Sequence, residues 1–325
     1  MEENNMKKVK ALFGVLAVAA AIGFVSCSTD SKYEEPKPAP AKPSEGSGDK
    51  PADDKPESFV SKYLTMKEIA TGTFKFKYGA GDTAEDVSLP AFKISDTEIT
   101  QELYETVMGT NPSSFKENAS EGEAQEKRPV DSVSFYAALV FCNKLSEKEG
   151  LTPVYKIGDS ADTSTWGNIP TASNDTWNAV TEDENANGFR LPHEKEWMFA
   201  ALGDKAENFS GFDNACFAGA AGEADLKQYA WYKARFEGEN NLNGGNSDGK
   251  THQVAKKSPN SNGLFDMSGN LWELCWERMD NGNHVRRGGA FESEWTDQLS
   301  VSTRWDVPPE AAWASVGFRI VQKSE

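Results

Sequence analysis

The side chains best placed to do chemistry lie near the C-terminus. Val285-Arg286-Arg287-Gly288-Gly289-Ala290-Phe291 opens the segment and Val316-Gly317-Phe318-Arg319 closes it. Between them come Trp295, Trp305 and Trp313, the acids Glu292, Glu294, Asp297, Asp306 and Glu310, and Pro308-Pro309, with no helical or strand period. Indoles carry large areas to bury against a partner, and carboxylates accept hydrogen bonds. The pattern predicts a structured surface loop with aromatic anchors. From Glu292 to Glu325 there is no cysteine and no histidine, so the segment offers no thiolate nucleophile, soft metal ligand or imidazole base.

The remaining nucleophiles and metal ligands are scattered. Beyond Cys27 the chain has Cys142, Cys216 and Cys275, an odd number that leaves at least one thiol free and one disulfide open. Cys142 and Cys275 are expected to be buried thiols that pack as small apolar groups. His193, His252 and His284 stand in separate stretches and do not read as a triad. The net charge of -17 repels phosphate backbones and argues against nucleic-acid binding. Such acidity suits calcium, a basic partner or, more simply, solubility.

The elements that position these groups begin after a leader. Lys7, Lys8 and Lys10 precede an apolar run, 11 to 25, too short for a membrane span and suited to a secretory signal. Phe24-Val25-Ser26-Cys27 resembles a bacterial lipobox, which implies cleavage before Cys27 and lipidation of it, with an ordinary signal peptide as the alternative. Residues 28–57 are rich in Pro, Lys, Asp, Glu and Ser and read as a disordered tether. Together these imply a membrane-anchored lipoprotein, expected at the outer membrane and exposed, touching lipid only through its anchor.

Residues 58–325 read as one domain. Gly72–Phe76 and Phe92–Ser95 are expected strands. Thr100 caps a helix over Gln101–Met108, closed by Gly109, and Ser134 caps another over Phe135–Glu149, with Leu139, Cys142 and Leu145 on one face and Gly150 as the stop. Pro192 is expected to open a third helix reaching about Ala201. Strand-like pieces follow at Trp272–Leu274, His284–Arg286 and Phe318–Val321. Polar loops fill Gly158–Asn187 and Glu237–Gly249. The result is an α+β domain with much ordered coil.

Gly188-Phe189-Arg190-Leu191-Pro192-His193-Glu194-Lys195-Glu196-Trp197, Asn262 to Glu273, Arg287-Gly288-Gly289-Ala290-Phe291 and Gly317-Phe318-Arg319 resemble the signatures of formylglycine-generating-enzyme (sulfatase-modifying-factor) domains. Ile94 to Gln101 and Phe141 to Ser146 extend the likeness, which spans roughly Thr65 to Gln322. It implies a C-type-lectin-like fold with few helices and short antiparallel strands. Arg190 and Arg319 are expected to pair with acids such as Glu194 or Glu196, and Trp197 and Trp272 to fill the core. Enzymes of this kind hold copper with two thiols after the Gly-Gly motif. The corresponding positions here are Ser293 and about Gln298, and a family serine is Ala290, so the chain is expected not to be an enzyme and to require no cofactor. The family's calcium motif carries over to Asp266 and Glu273 side chains and the carbonyls of Gly269 and Leu271, a candidate structural calcium site.

A narrower resemblance is to variable proteins of diversity-generating retroelements, which place their mutated segment at the same C-terminal position, here about 284–320. It implies a ligand-binding site at Glu292, Ser293, Glu294, Trp295, Trp305, Asp306, Val307, Pro308, Ala311, Trp313 and Ser315, facing a protein or a surface glycan. A family oxidase or other nonheme metal enzyme, and a structural envelope lipoprotein, stay open as alternatives.

Overall fold

The computed structural model describes residues 58–233 and 245–324. Cys27, the leader, the tether and most of the loop expected at Glu237–Gly249 lie outside them. In chain order the elements are β1 (Met66–Ile69), β2 (Gly72–Phe76), β3 (Glu85–Leu89), β4 (Phe92–Ser95), α1 (Gln101–Met108) and α2 (Phe135–Lys148). Then come β5 (Tyr155–Lys156), α3 (Asp175–Asn178), β6 (Thr181–Glu182), α4 (Glu194–Leu202) and α5 (Leu226–Tyr229), followed by β7 (Trp272–Arg278), β8 (His284–Arg287), β9 (Trp305–Val307), β10 (Val316–Gly317) and β11 (Val321–Lys323).

Local chemistry explains several boundaries. In β2, Phe74 and Phe76 are buried while Thr73 and Lys75 face solvent, the two-residue alternation of a half-buried strand. Thr100 Oγ1 accepts the Leu103 N–H at 3.3 Å to start α1, and Gly109, at φ +80°, ends it. Ser134 Oγ accepts the Ala137 N–H at 3.2 Å to start α2. The expected apolar stripe of α2 is too narrow: every residue from Phe135 to Asn143 is buried, because the helix lies inside the larger of the cores. Asn143 is satisfied there through Tyr155, donating to its carbonyl at 2.8 Å and accepting its N–H at 3.0 Å.

Two further expectations are corrected. Pro192 does not open α4, whose first residue is Glu194, with Glu196 accepting the His193 N–H at 2.8 Å. The chain before it is extended, because Arg190 bridges to Val321 and the Pro192 carbonyl accepts the Trp276 N–H at 3.0 Å. Phe318–Val321 is not one strand. β10 pairs parallel with β7, β11 pairs antiparallel with β4, and Phe318, Arg319 and Ile320 cross between the two sheets, fully buried.

The four-stranded sheet, ordered β10-β7-β8-β9, organises the site. Its alternating side chains feed two cores. Trp272, Leu274 and Val307 join α2 in one, and Cys275 and Val285 join Trp197 and the other residues of α4 in the second. A three-stranded sheet, β1-β4-β11, the hairpin β2-β3 and the short pair β5-β6 complete the strands. The α+β architecture, with few helices, short strands mostly paired antiparallel and long ordered loops, is the expected one.

Candidate ligand-binding face

Ser293 and Gln298 are built into the loop's own hydrogen bonding. Ser293 is buried, and its Oγ accepts the Ala290 N–H at 3.0 Å. Gln298 Oε1 accepts the N–H groups of Glu294 and Trp295 at 3.1 and 3.4 Å, tying the 3-10 turn Thr296–Leu299. Cys142, Cys216 and Cys275 are free and buried, and burial pushes all three thiols above the ordinary range, away from the reactive thiolate. The histidines have separate surroundings. His193 lies between Glu182 and Glu277, at 3.1 and 3.0 Å. His252 stacks on Trp231 beside Glu123, and His284 stacks on Phe135. Among the described residues no group of three or more His, Cys, Asp or Glu is placed to hold a metal ion.

The candidate calcium set does not fit a calcium cage. Calcium takes six to eight oxygens at roughly 2.3–2.6 Å. Here Glu273 is the counter-ion of Arg319, whose Nε and Nη2 donate to its two oxygens at 2.6 and 2.8 Å, and Trp197 Nε1 donates to it at 2.6 Å. Asp266 Oδ2 accepts the Ala255 N–H at 2.9 Å, while Oδ1 is buried without a partner. The motif serves as a turn instead: Asp266, Gly269 and Asn270 all have positive φ. Leu271 N–H and Asn270 Nδ2 then bond Glu98 at 3.0 and 2.8 Å. Burial, reinforced by Asp266 and Glu273, holds the Glu98 carboxyl well above the usual carboxylate range.

The C-terminal tryptophans separate from the core. Trp295, Trp305 and Trp313 are 47%, 46% and 42% exposed. Trp305 lies on β9 directly opposite Arg286 of β8. The Arg286 guanidinium sits 4.9 Å from the ring centre of Trp313, 5.6 Å from Trp305 and 4.9 Å from buried Trp272. Trp272 and Trp305 stack at 5.8 Å. Alternation along β8 puts Arg287 on the opposite side of the sheet, where Glu194 holds it.

Of the expected binding residues, Glu292 is exposed and Asp306 half-buried, its Oδ2 accepting from Asn281 and Asn283 at 2.5 and 2.9 Å. Pro308 and Ala311 are half-buried, and Glu294 pairs with Lys233 at 2.9 Å. Ser293, Val307 and Ser315 are corrected: all three are buried. Val307 packs in the larger core, and the Ser315 carbonyl accepts the Trp272 N–H at 2.9 Å to pin β10 against β7. Arg286 is not among the residues that the family pattern expects to bind. Its strand parity, opposite to that of Arg287, is the signal that marks it. A cleft of about 580 Å³ lined by Tyr78, Glu277, Arg278, Met279 and Arg304 includes none of the three exposed tryptophans.

Arg190 pairs with Glu196 at 2.7 Å, as expected, and Arg319 with Glu273 rather than with an acid of α4. Trp197 and Trp272 are buried core residues. Residues 53–324 match the sulfatase-modifying factor enzyme 1-like domain. The chain is 34% identical to a chaperone protein, LppX, of Paenibacillus barcinonensis, over 73% of this chain and 82% of that one. It is 24% identical to the formylglycine-generating enzyme of Streptomyces coelicolor, over 46% of this chain and 52% of the enzyme. Among solved structures it superposes on Treponema denticola variable protein 1 with a TM-score of 0.68 and 36% identity, covering 80% of this chain and 95% of that one. The chain therefore belongs to the sulfatase-modifying factor enzyme 1-like family, with its C-type-lectin-like fold.

Proposed function

We propose that this protein is a non-catalytic lipoprotein, anchored through Cys27 at the outer membrane, whose C-terminal segment binds a protein ligand. The observation that carries this reading is the exposure of Trp305 and Trp313 beside Arg286, in a domain that otherwise buries most of its large rings. Half-exposed indoles around an arginine have the composition of interface hot spots. The rigid sheet beneath lets the exposed residues of this loop change at little cost to folding, which is the property a diversified binding segment needs. The likeness to the treponemal variable protein supports the same reading. By the family resemblance, the thiol positions of its oxidases fall at Ser293 and about Gln298, and neither is a thiol, which argues against copper-dependent oxidation.

The test is a screen of the purified protein against arrays of extracellular proteins and surface glycans. A saturable protein ligand is expected. The double substitution Trp305→Ala, Trp313→Ala should weaken it by roughly 30-fold or more, while Tm falls far less than for Trp197→Ala in the core. Undiminished binding by the double variant would place the ligand elsewhere on the protein. Stoichiometric copper or iron in the protein as isolated, or oxidation of a cysteine peptide, would favour an enzyme instead.

A further inference from the structure

The chemistry of the ligand can be read from one side chain, given that this face is the binding surface. Five arginines are buried among the described residues, and four have partners. Arg128 donates to Thr251, Gln125 and the Glu117 carbonyl. Arg190, Arg287 and Arg319 are ion-paired with Glu196, Glu194 and Glu273. Arg286 differs. It is only 6% exposed, its Nε is shut off from solvent with no hydrogen-bond partner, and its terminal nitrogens form no hydrogen bond or ion pair with a described residue. An uncompensated buried charge is costly.

The rings of Trp272, Trp305 and Trp313 offset part of that cost through cation–π contact. Such contact uses the faces of the guanidinium and leaves its N–H edge unfilled. Asp306 and Glu292 are near enough to favour the charged form, but neither bonds it, and Asp306 Oδ2 already accepts from two asparagines. Burial draws the Arg286 pKa down to about 10, so the group stays charged at neutral pH.

We propose that Arg286 is the anchor for a carboxylate: an aspartate or glutamate side chain of a protein partner caps its open edge while apolar neighbours of that acid cover Trp305 and Trp313. A fork of N–H donors matches a planar carboxylate. A doubly charged phosphate fits worse, because one guanidinium would face two ligand charges plus those of Glu292 and Asp306.

Two probe peptides test this, N-acetyl-Phe-Glu-Phe-amide and the same peptide with Gln for Glu, titrated into the protein while indole fluorescence and the indole N–H resonances are followed. The acidic peptide should bind about tenfold or more tightly than its amide twin. Arg286→Lys keeps the charge but not the fork and should erase that preference. Glu292→Gln, at an exposed position, should tighten the acidic peptide, and it keeps the test decisive if the lysine variant fails to fold. Equal binding of the two peptides, no binding of either, or displacement of the acidic peptide by inorganic phosphate more readily than by acetate would overturn the proposal. Loss of both peptides in the Trp305→Ala, Trp313→Ala protein with no effect of Arg286→Lys would leave the binding face standing and remove the carboxylate from it.

Discussion

Single buried groups set the pH response of this domain. His284 is stacked on Phe135 with ring centres 3.4 Å apart and bonds the Trp276 carbonyl through Nδ1 at 3.0 Å. Burial outweighs that bond and draws its pKa down to about 4. The unfolded value is about 6.5, so above that pH the ring is neutral in both states and there is no penalty. As pH falls from about 6.5 toward 4, only the unfolded chain takes up the proton, and stability is lost, on the order of 3 kcal/mol by pH 4. Asp266, raised to about 6 chiefly by burial, works in the opposite direction over the same range. The contribution is therefore measured as a difference: urea midpoints of His284→Gln should fall less between pH 7 and pH 4.5 than those of the wild type. Parallel pH profiles would contradict the assignment.

Among the elements, the turn at Gly269 carries the tightest constraint near the site. Its φ is +87°, and an added Cβ would lie 2.4 Å from the Trp231 carbonyl oxygen. Gly269→Ala meets both left-handed strain and a backbone collision, and should cost more than about 2 kcal/mol. A denaturant titration showing a loss below about 0.5 kcal/mol, the range of ordinary surface changes, would mean that the turn relaxes freely. Elements governed by local chemistry were legible in advance. β2, β4 and α1 have their expected bounds, because alternation, a threonine cap and a stop glycine act within a few residues. The failures were tertiary. Pro192 is held extended by Trp276, far along the chain, and Phe318–Ile320 changes sheets because β4 and β7 both claim neighbouring backbone.

The whole molecule combines an anchor motif, a spacer composition and a folded body, and its proposed role needs all three. Lipidation at Cys27 predicts that the chain incorporates labelled palmitate and sediments with membranes, while Cys27→Ser does neither. Unchanged labelling of the serine variant would return the leader to an ordinary signal peptide.

The candidate site was legible in part. The three tryptophans named as anchors are exposed, whereas Ser293, Val307 and Ser315, chosen by their position in a family pattern, are buried. Position along a loop does not determine which way a side chain points when the loop contributes a strand, a turn and a core residue in turn. Glu273 illustrates the same limit of position: a carboxylate in a calcium motif and a carboxylate opposing a buried arginine look the same in sequence until Arg319 arrives from 46 residues away.

The amino-acid sequence by itself determined the family, the α+β class, the capped helices and the aromatic character of the C-terminal loop, because motifs, caps and alternation are encoded within short spans. Only the tertiary structure decided that Arg286 stands among three indoles with its Nε unpartnered, that Glu273 belongs to Arg319, and which loop residues reach solvent. Those outcomes depend on burial and on partners distant in the chain, and burial is a property of the assembled fold.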